Sequence, residues 1–152
     1  MKTLLLLIAL MFSASAFARI GETAKQIDKR YGQSLETIQK NGESRRYSFR
    51  GFTVLVSFER GISQCEVYQK KDNSRMTEAE IQGLLQANAG SSEWGSEPEE
   101  NIGNYIYWSR DRRTRVAIYT LATHDLIITS KAFLGRFAHL VNSDDRKGMK
   151  GF

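Results

Sequence analysis

The sequence predicts an α+β domain, an antiparallel β-sheet with helices on one face, built from two tandem α-β-β-β units. Three observations predict it. Apolar residues alternate with polar ones through 52–58 and neighbouring segments, a capping-box signature stands ahead of each strand-rich stretch, and the order helix, strand, strand, strand occurs twice.

The domain begins after a leader. Residues 1–18 read as a cleavable secretory signal peptide, with Lys2 as the charged start, an apolar run over 4–12 and the small-residue site Ala16-Phe17-Ala18. The apolar run falls short of the roughly 20 residues that a spanning helix needs. Cleavage after Ala18 leaves residues 19–152, enough for one domain that buries about two thirds of its unfolded surface. Cys65 is the only cysteine, so no lipid-bearing cysteine follows the cleavage point and no internal disulfide can form. The core alone must hold the fold.

The formal net charge is +5, of which Lys2 in the leader supplies one. That modest excess favours solubility and weak attraction to anionic surfaces, and is too small to argue for nucleic acid. The sequence contains no Asn-x-Ser/Thr acceptor site. A periplasmic or secreted location in a bacterial envelope fits these features.

Each half, about 20–71 and about 76–131, opens on a helix. In the first, Thr23 and Gln26 form a capping box, Ile27 and Tyr31 share one face, and Gly32 ends the helix. Residues 33–44 are polar, a loop or a weak first strand. Strands follow at 47–50, 52–58 and 62–69, with Gly51 and Arg60-Gly61 at the hairpin turns. Phe52, Val54, Val56 and Phe58 share one face of the middle strand, and Thr53, Leu55 and Ser57 the other.

The second half repeats the pattern. Thr77 and Glu80 form the capping box, Ile81, Leu84 and Leu85 make the apolar stripe, and residues 88–90 end the helix. Strands are expected at 105–110, 116–121 and 126–130. Residues 91–104 read as a long loop, 132–141 as a closing helix completing a domain over 19–141, and 142–152 as a flexible basic tail. Halves of this kind join edge to edge as one sheet with both helices on a single face, leaving the other face free.

The opening pattern Gly21-x-Thr23-x-x-Gln26-Ile27-x-x-x-Tyr31-Gly32, followed by an aromatic-rich meander, resembles the module of the small outer-membrane-assembly lipoproteins of bacteria. Its duplication resembles the beta-lactamase-inhibitor-protein family, and the likeness covers most of residues 20–131. The chain is also similar to a group of exported bacterial proteins with the same opening and a short basic tail ending in Gly-Phe, here Gly151-Phe152. The resemblance implies a non-enzymatic scaffold whose open sheet face or loops contact another protein. The lipidated cysteine of the first family and the disulfides of the second have no counterpart here, so their specific functions do not carry over.

Candidate chemistry is sparse. Cys65 shares a strand face with Val67, where a free cysteine behaves as a small apolar residue rather than a nucleophile. His124 and His139 lack partners at metal-ligand spacing, and no Gly-x-Ser-x-Gly elbow or phosphate-cradling Gly-rich loop occurs. Glu93, Glu97, Glu99 and Glu100 lie in the expected loop, where acids are ordinarily solvated. Neither metal nor cofactor is implied.

The most distinctive feature is an arginine-aromatic pattern. Arg110, Arg112 and Arg113 follow Tyr107 and Trp108, while Arg45, Arg46 and Arg50 surround Tyr47 at the equivalent place of the first half. Arginine interleaved with aromatics is the composition of protein hot spots and stacking surfaces. The reading is therefore a binding or envelope-accessory module that presents a sheet face and this hairpin edge to another protein or an anionic envelope component. The alternative is a small hydrolase or transferase using His124 with a nearby acid.

Overall fold

A computed structural model describes residues 20–39, 43–90, 92–95 and 97–142. The leader and the tail beyond Asn142 lie outside the described residues. Among the described residues, eight strands form one antiparallel sheet: β1 (Glu36–Ile38), β2 (Glu43–Phe49), β3 (Phe52–Glu59), β4 (Ile62–Lys70), β5 (Glu99–Asn101), β6 (Asn104–Trp108), β7 (Arg115–Thr120) and β8 (Leu126–Ser130). Their order is β1-β2-β3-β4-β8-β7-β6-β5, so the last four strands run in the reverse order of the first four. The expected α+β class is observed. Among the described residues, three helices accompany the sheet: α1 (Ala24–Tyr31), α2 (Glu78–Ala87) and α3 (Lys131–Asn142).

Both capping boxes form as expected. The Thr23 hydroxyl accepts from the Gln26 amide while the Gln26 side chain accepts from the Thr23 amide, and Thr77 and Glu80 repeat the exchange. Three hairpins turn on two left-handed residues each, Arg50-Gly51, Arg60-Gly61 and Ile102-Gly103. That geometry matches the right-handed twist of the flanking strands.

The core lies between the sheet and the first two helices. Tyr31 of α1 packs its ring 5.4 Å from Tyr47 and 5.0 Å from Phe49. From the other end, Asn88 after α2 donates to the Tyr68 hydroxyl, and the Tyr119 hydroxyl accepts from the Met76 amide just before that helix. Tyr47, Val54, Tyr68, Leu126 and Tyr119 form one register row across five strands, each at most 3% exposed. Alternation sends their neighbours to the opposite face.

Two expectations need correcting. The strand expected at 47–50 begins at Glu43, because Arg45 is held on the core face by Asp28 and Glu43 while Ser44, Arg46 and Ser48 point away. Within 33–44, the weak first strand is the alternative that forms, as the edge strand β1 over residues 36–38. The expected loop 91–104 contains β5, and Trp94 makes a further bridge to Ser109. Polar residues suit both edge strands, which have one partner strand each and face water.

Candidate binding surface

The nine arginine and aromatic residues singled out above do not form one surface. β2 and β6 stand on opposite halves of the sheet with β3, β4, β8 and β7 between them. Tyr47 and Tyr107 are core, at 0% and 1% exposed, because both point toward the helices. The Tyr47 hydroxyl donates to Asp28 at 2.7 Å, and burial together with that carboxylate pushes its pKa up. Burial raises the Tyr107 hydroxyl to about 12. Neither ring is available to a partner.

Arg45 is also structural, bonded to Asp28 at 2.8 Å and Glu43 at 2.7 Å with its guanidinium 5.6 Å from the Phe58 ring centre. Arg50 caps the β2–β3 turn over Phe49, and Arg46 pairs with Glu36 at 3.1 Å on the opposite face. Across the sheet, Arg110 pairs with Glu93 at 3.1 Å, and Arg112 is exposed in the β6–β7 loop. Arg113 bonds Glu99 at 2.9 Å and lies 5.2 Å from the Trp108 ring centre, while Trp108 Nε1 donates to the other Glu99 oxygen at 3.1 Å. Trp108, Glu99 and Arg113 thus make one closed cluster on the β5–β6 hairpin.

That cluster borders a surface the composition did not reveal. On the face away from α1 and α2, Leu55, Val67, Ile127, Ile118 and Ile106 occupy one register row over β3, β4, β8, β7 and β6. All five are half-buried, while the next row on the same face, Cys65, Thr129 and Val116, is at most 6% exposed, so the face is open along the stripe and covered beside it. At about 4.8 Å per strand, the row is about 19 Å long. One end meets Arg46 and Glu36, and the other meets Glu99, where Trp108 and Arg113 close it.

Ile102 extends the same hairpin. It is 95% exposed at the β5–β6 turn with φ of 38°, a conformation that β-branched residues rarely adopt. Its signal in the sequence was a lone isoleucine before glycine in a polar stretch. The stripe itself was half visible, since alternation had put Leu55 opposite the Phe52 face.

The rival catalytic residues are engaged elsewhere. His124 Nδ1 meets the Asn73 carbonyl at 3.0 Å, so that nitrogen carries the hydrogen, and Nε2 accepts from Arg75 Nε at 3.4 Å. A general base needs that Nε2 lone pair free. Adjacent Asp125 is half-buried, and burial raises its pKa against the opposing effects of Thr123, His124 and Gln69. Among the described residues, no group of three or more His, Cys, Asp or Glu residues could hold a metal ion. Nor is any described helix long and apolar enough to cross a membrane. The His139 side chain lies outside the described ones.

Cys65 is 6% exposed on the strand face shared with Val67, and burial pushes its thiol up to about 12. Serine at this site places a more strongly solvated hydroxyl in the same volume, so Cys65→Ser is expected to lower stability by about 1–3 kcal/mol. Denaturant titration measures it. The native thiol should resist alkylation that goes to completion in denaturant.

No protein-family model matches the chain, and no curated protein or solved structure matches it.

Proposed function

We propose that the chain is an exported, non-catalytic binding module, built from two tandem α-β-β-β units, that meets a protein partner through its open sheet face and the β5–β6 edge. The reversed strand order and the two capping boxes support the tandem reading. The observation that carries the binding reading is the apolar stripe over five strands ending at Trp108, Glu99 and Arg113. A contiguous apolar strip rimmed by arginine and tryptophan has the anatomy of a protein interface.

A protein is favoured over an anionic envelope component because Arg110 and Arg113 are already paired with Glu93 and Glu99. The two partners also differ in salt dependence. Contact through the stripe persists at high ionic strength, whereas an anionic ligand held by arginines is released.

Site-specific photo-crosslinking in cells producing the protein tests the proposal. A crosslinker at Ile106 or Ile118 should give a discrete protein adduct, and one at exposed Ala79 of α2 should not. Changing Arg110, Arg112 and Arg113 to alanine should cut adduct yield several-fold while leaving thermal unfolding nearly unchanged, since exposed ion pairs contribute about 0–1 kcal/mol each. Equal adducts from both faces, or none from the open face, would remove the basis for the reading.

A further inference from the structure

Under α1 and α2, at the centre of the sheet, lies a carboxyl group for which the binding reading has no use. Glu66 is 0% exposed on β4, with Val56 of β3 and Ile128 of β8 beside it in register. The Tyr31 hydroxyl from α1 lies 3.0 Å from Glu66 Oε2, the Tyr68 hydroxyl contacts the same oxygen, and the two hydroxyls are 2.8 Å apart. Asn88, after α2, donates to Tyr68 at 3.1 Å. Three oxygens therefore form a closed triangle joining α1 to the sheet.

Counting hydrogens determines the state of this triangle. Three O···O contacts at hydrogen-bonding distance need three hydrogens, and two tyrosines supply two. With Glu66 ionised, one contact would bring lone pairs together without a hydrogen between them. With Glu66 protonated on Oε2, each oxygen donates once and accepts once around the ring, and Tyr68 also accepts from Asn88. Glu66 Oε1 then is a neutral carbonyl oxygen. It is buried with no hydrogen-bond partner, a smaller penalty for a neutral atom than for a charged one.

No cation bonds to Glu66 among the described residues. Arg30 of α1, whose charge acts on Glu66, pairs its two terminal nitrogens with Glu22, and its buried Nε bonds to no described residue. The other titratable neighbours are Glu22, Tyr31, Tyr68 and Cys65, while the groups facing Glu66 from β3, β8 and the end of α2 are apolar or neutral. We propose that Glu66 carries a proton at neutral pH, closes a three-hydroxyl ring with Tyr31 and Tyr68, and thereby makes the docking of α1 on the sheet sensitive to pH. Burial pulls the carboxyl pKa the same way, upward against the tyrosine hydrogen bonds and the Arg30 charge.

The sign follows from proton linkage. The unfolded chain releases this proton near the ordinary glutamate value of about 4.3, and the folded chain keeps it to higher pH. Its contribution to stability is thus full below that value and is lost as pH rises through the folded one. Glutamine keeps the shape and supplies N–H hydrogens that do not titrate.

Infrared spectroscopy of the purified protein at about pH 6, where an ordinary glutamate is ionised, reads the state directly. A protonated-carboxyl C=O band should be present, retained in Asp125→Asn, absent in Glu66→Gln, and lost when the wild type is unfolded in denaturant at the same pH. The melting temperature of the wild type should fall relative to Glu66→Gln as pH rises from about 5 to 9. If Glu66→Gln fails to fold, the band in Asp125→Asn and its loss on unfolding decide the matter. Absence of the band at about pH 6, or a wild-type-to-Gln difference constant across pH, overturns the proposal.

Discussion

Leu126→Ala is expected to destabilise the domain by about 2–5 kcal/mol, the range for emptying a fully buried leucine site. Leu126 is 0% exposed and stands opposite Tyr68 on β4 and Tyr119 on β7, at the seam where β4 meets β8. The seam residues are fixed by main-chain pairing on both sides, so the space left by the isobutyl group cannot collapse. The comparison is Ile118→Ala, half-buried on the opposite face of β7. Denaturant midpoints should place the Ile118 loss well below that of Leu126. Equal losses would mean that the open face is packed as tightly as the helix face, which would also undercut its use as a contact surface.

Arg115→Ala should cost about 1–3 kcal/mol, more than any other arginine of the 110–115 run, because it strands part-buried carbonyls that a charged donor now satisfies. Its guanidinium donates to the carbonyls of Asn88, Ala89 and Ser92, and lies 5.4 Å from the Trp94 ring centre. The side chain is only 14% exposed. It therefore ties the end of α2 and the segment leading to β5 onto the sheet. Lysine preserves the charge but lacks the fork that reaches several acceptors at once, so Arg115→Lys should recover part of the loss. Thermal unfolding checks the order wild type, Arg115→Lys, Arg115→Ala. A loss no larger than that of Arg110→Ala would show that these carbonyls find water instead.

The same arginine illustrates how much of the site was legible. In the sequence Arg115 closes a basic run and looks like its neighbours, and only the register of β7 turns it toward the helices. Tyr47 and Tyr107 misled for the same reason, since a two-residue period leaves open which of two faces is the inner one. The face of β3 was readable because Phe52, Val54, Val56 and Phe58 outnumber a single leucine on the other side. In β6 both faces are apolar, Tyr105 and Tyr107 against Ile106 and Trp108, and the pattern is silent.

By itself the sequence determined the local structure: both capping boxes, the hairpin turns at Gly51 and Arg60-Gly61, the strand-rich content and hence the α+β class. These depend on residues within a few positions of one another, whose backbone preferences act before any distant contact forms. Tertiary structure alone decided that Leu55, Val67, Ile127, Ile118 and Ile106 lie in one row, that the two arginine groups stand apart, and that Tyr31 and Tyr68 enclose Glu66. Each of these depends on which strands pair and in what register, and the free energy that selects the pairing comes from burying side chains tens of residues apart.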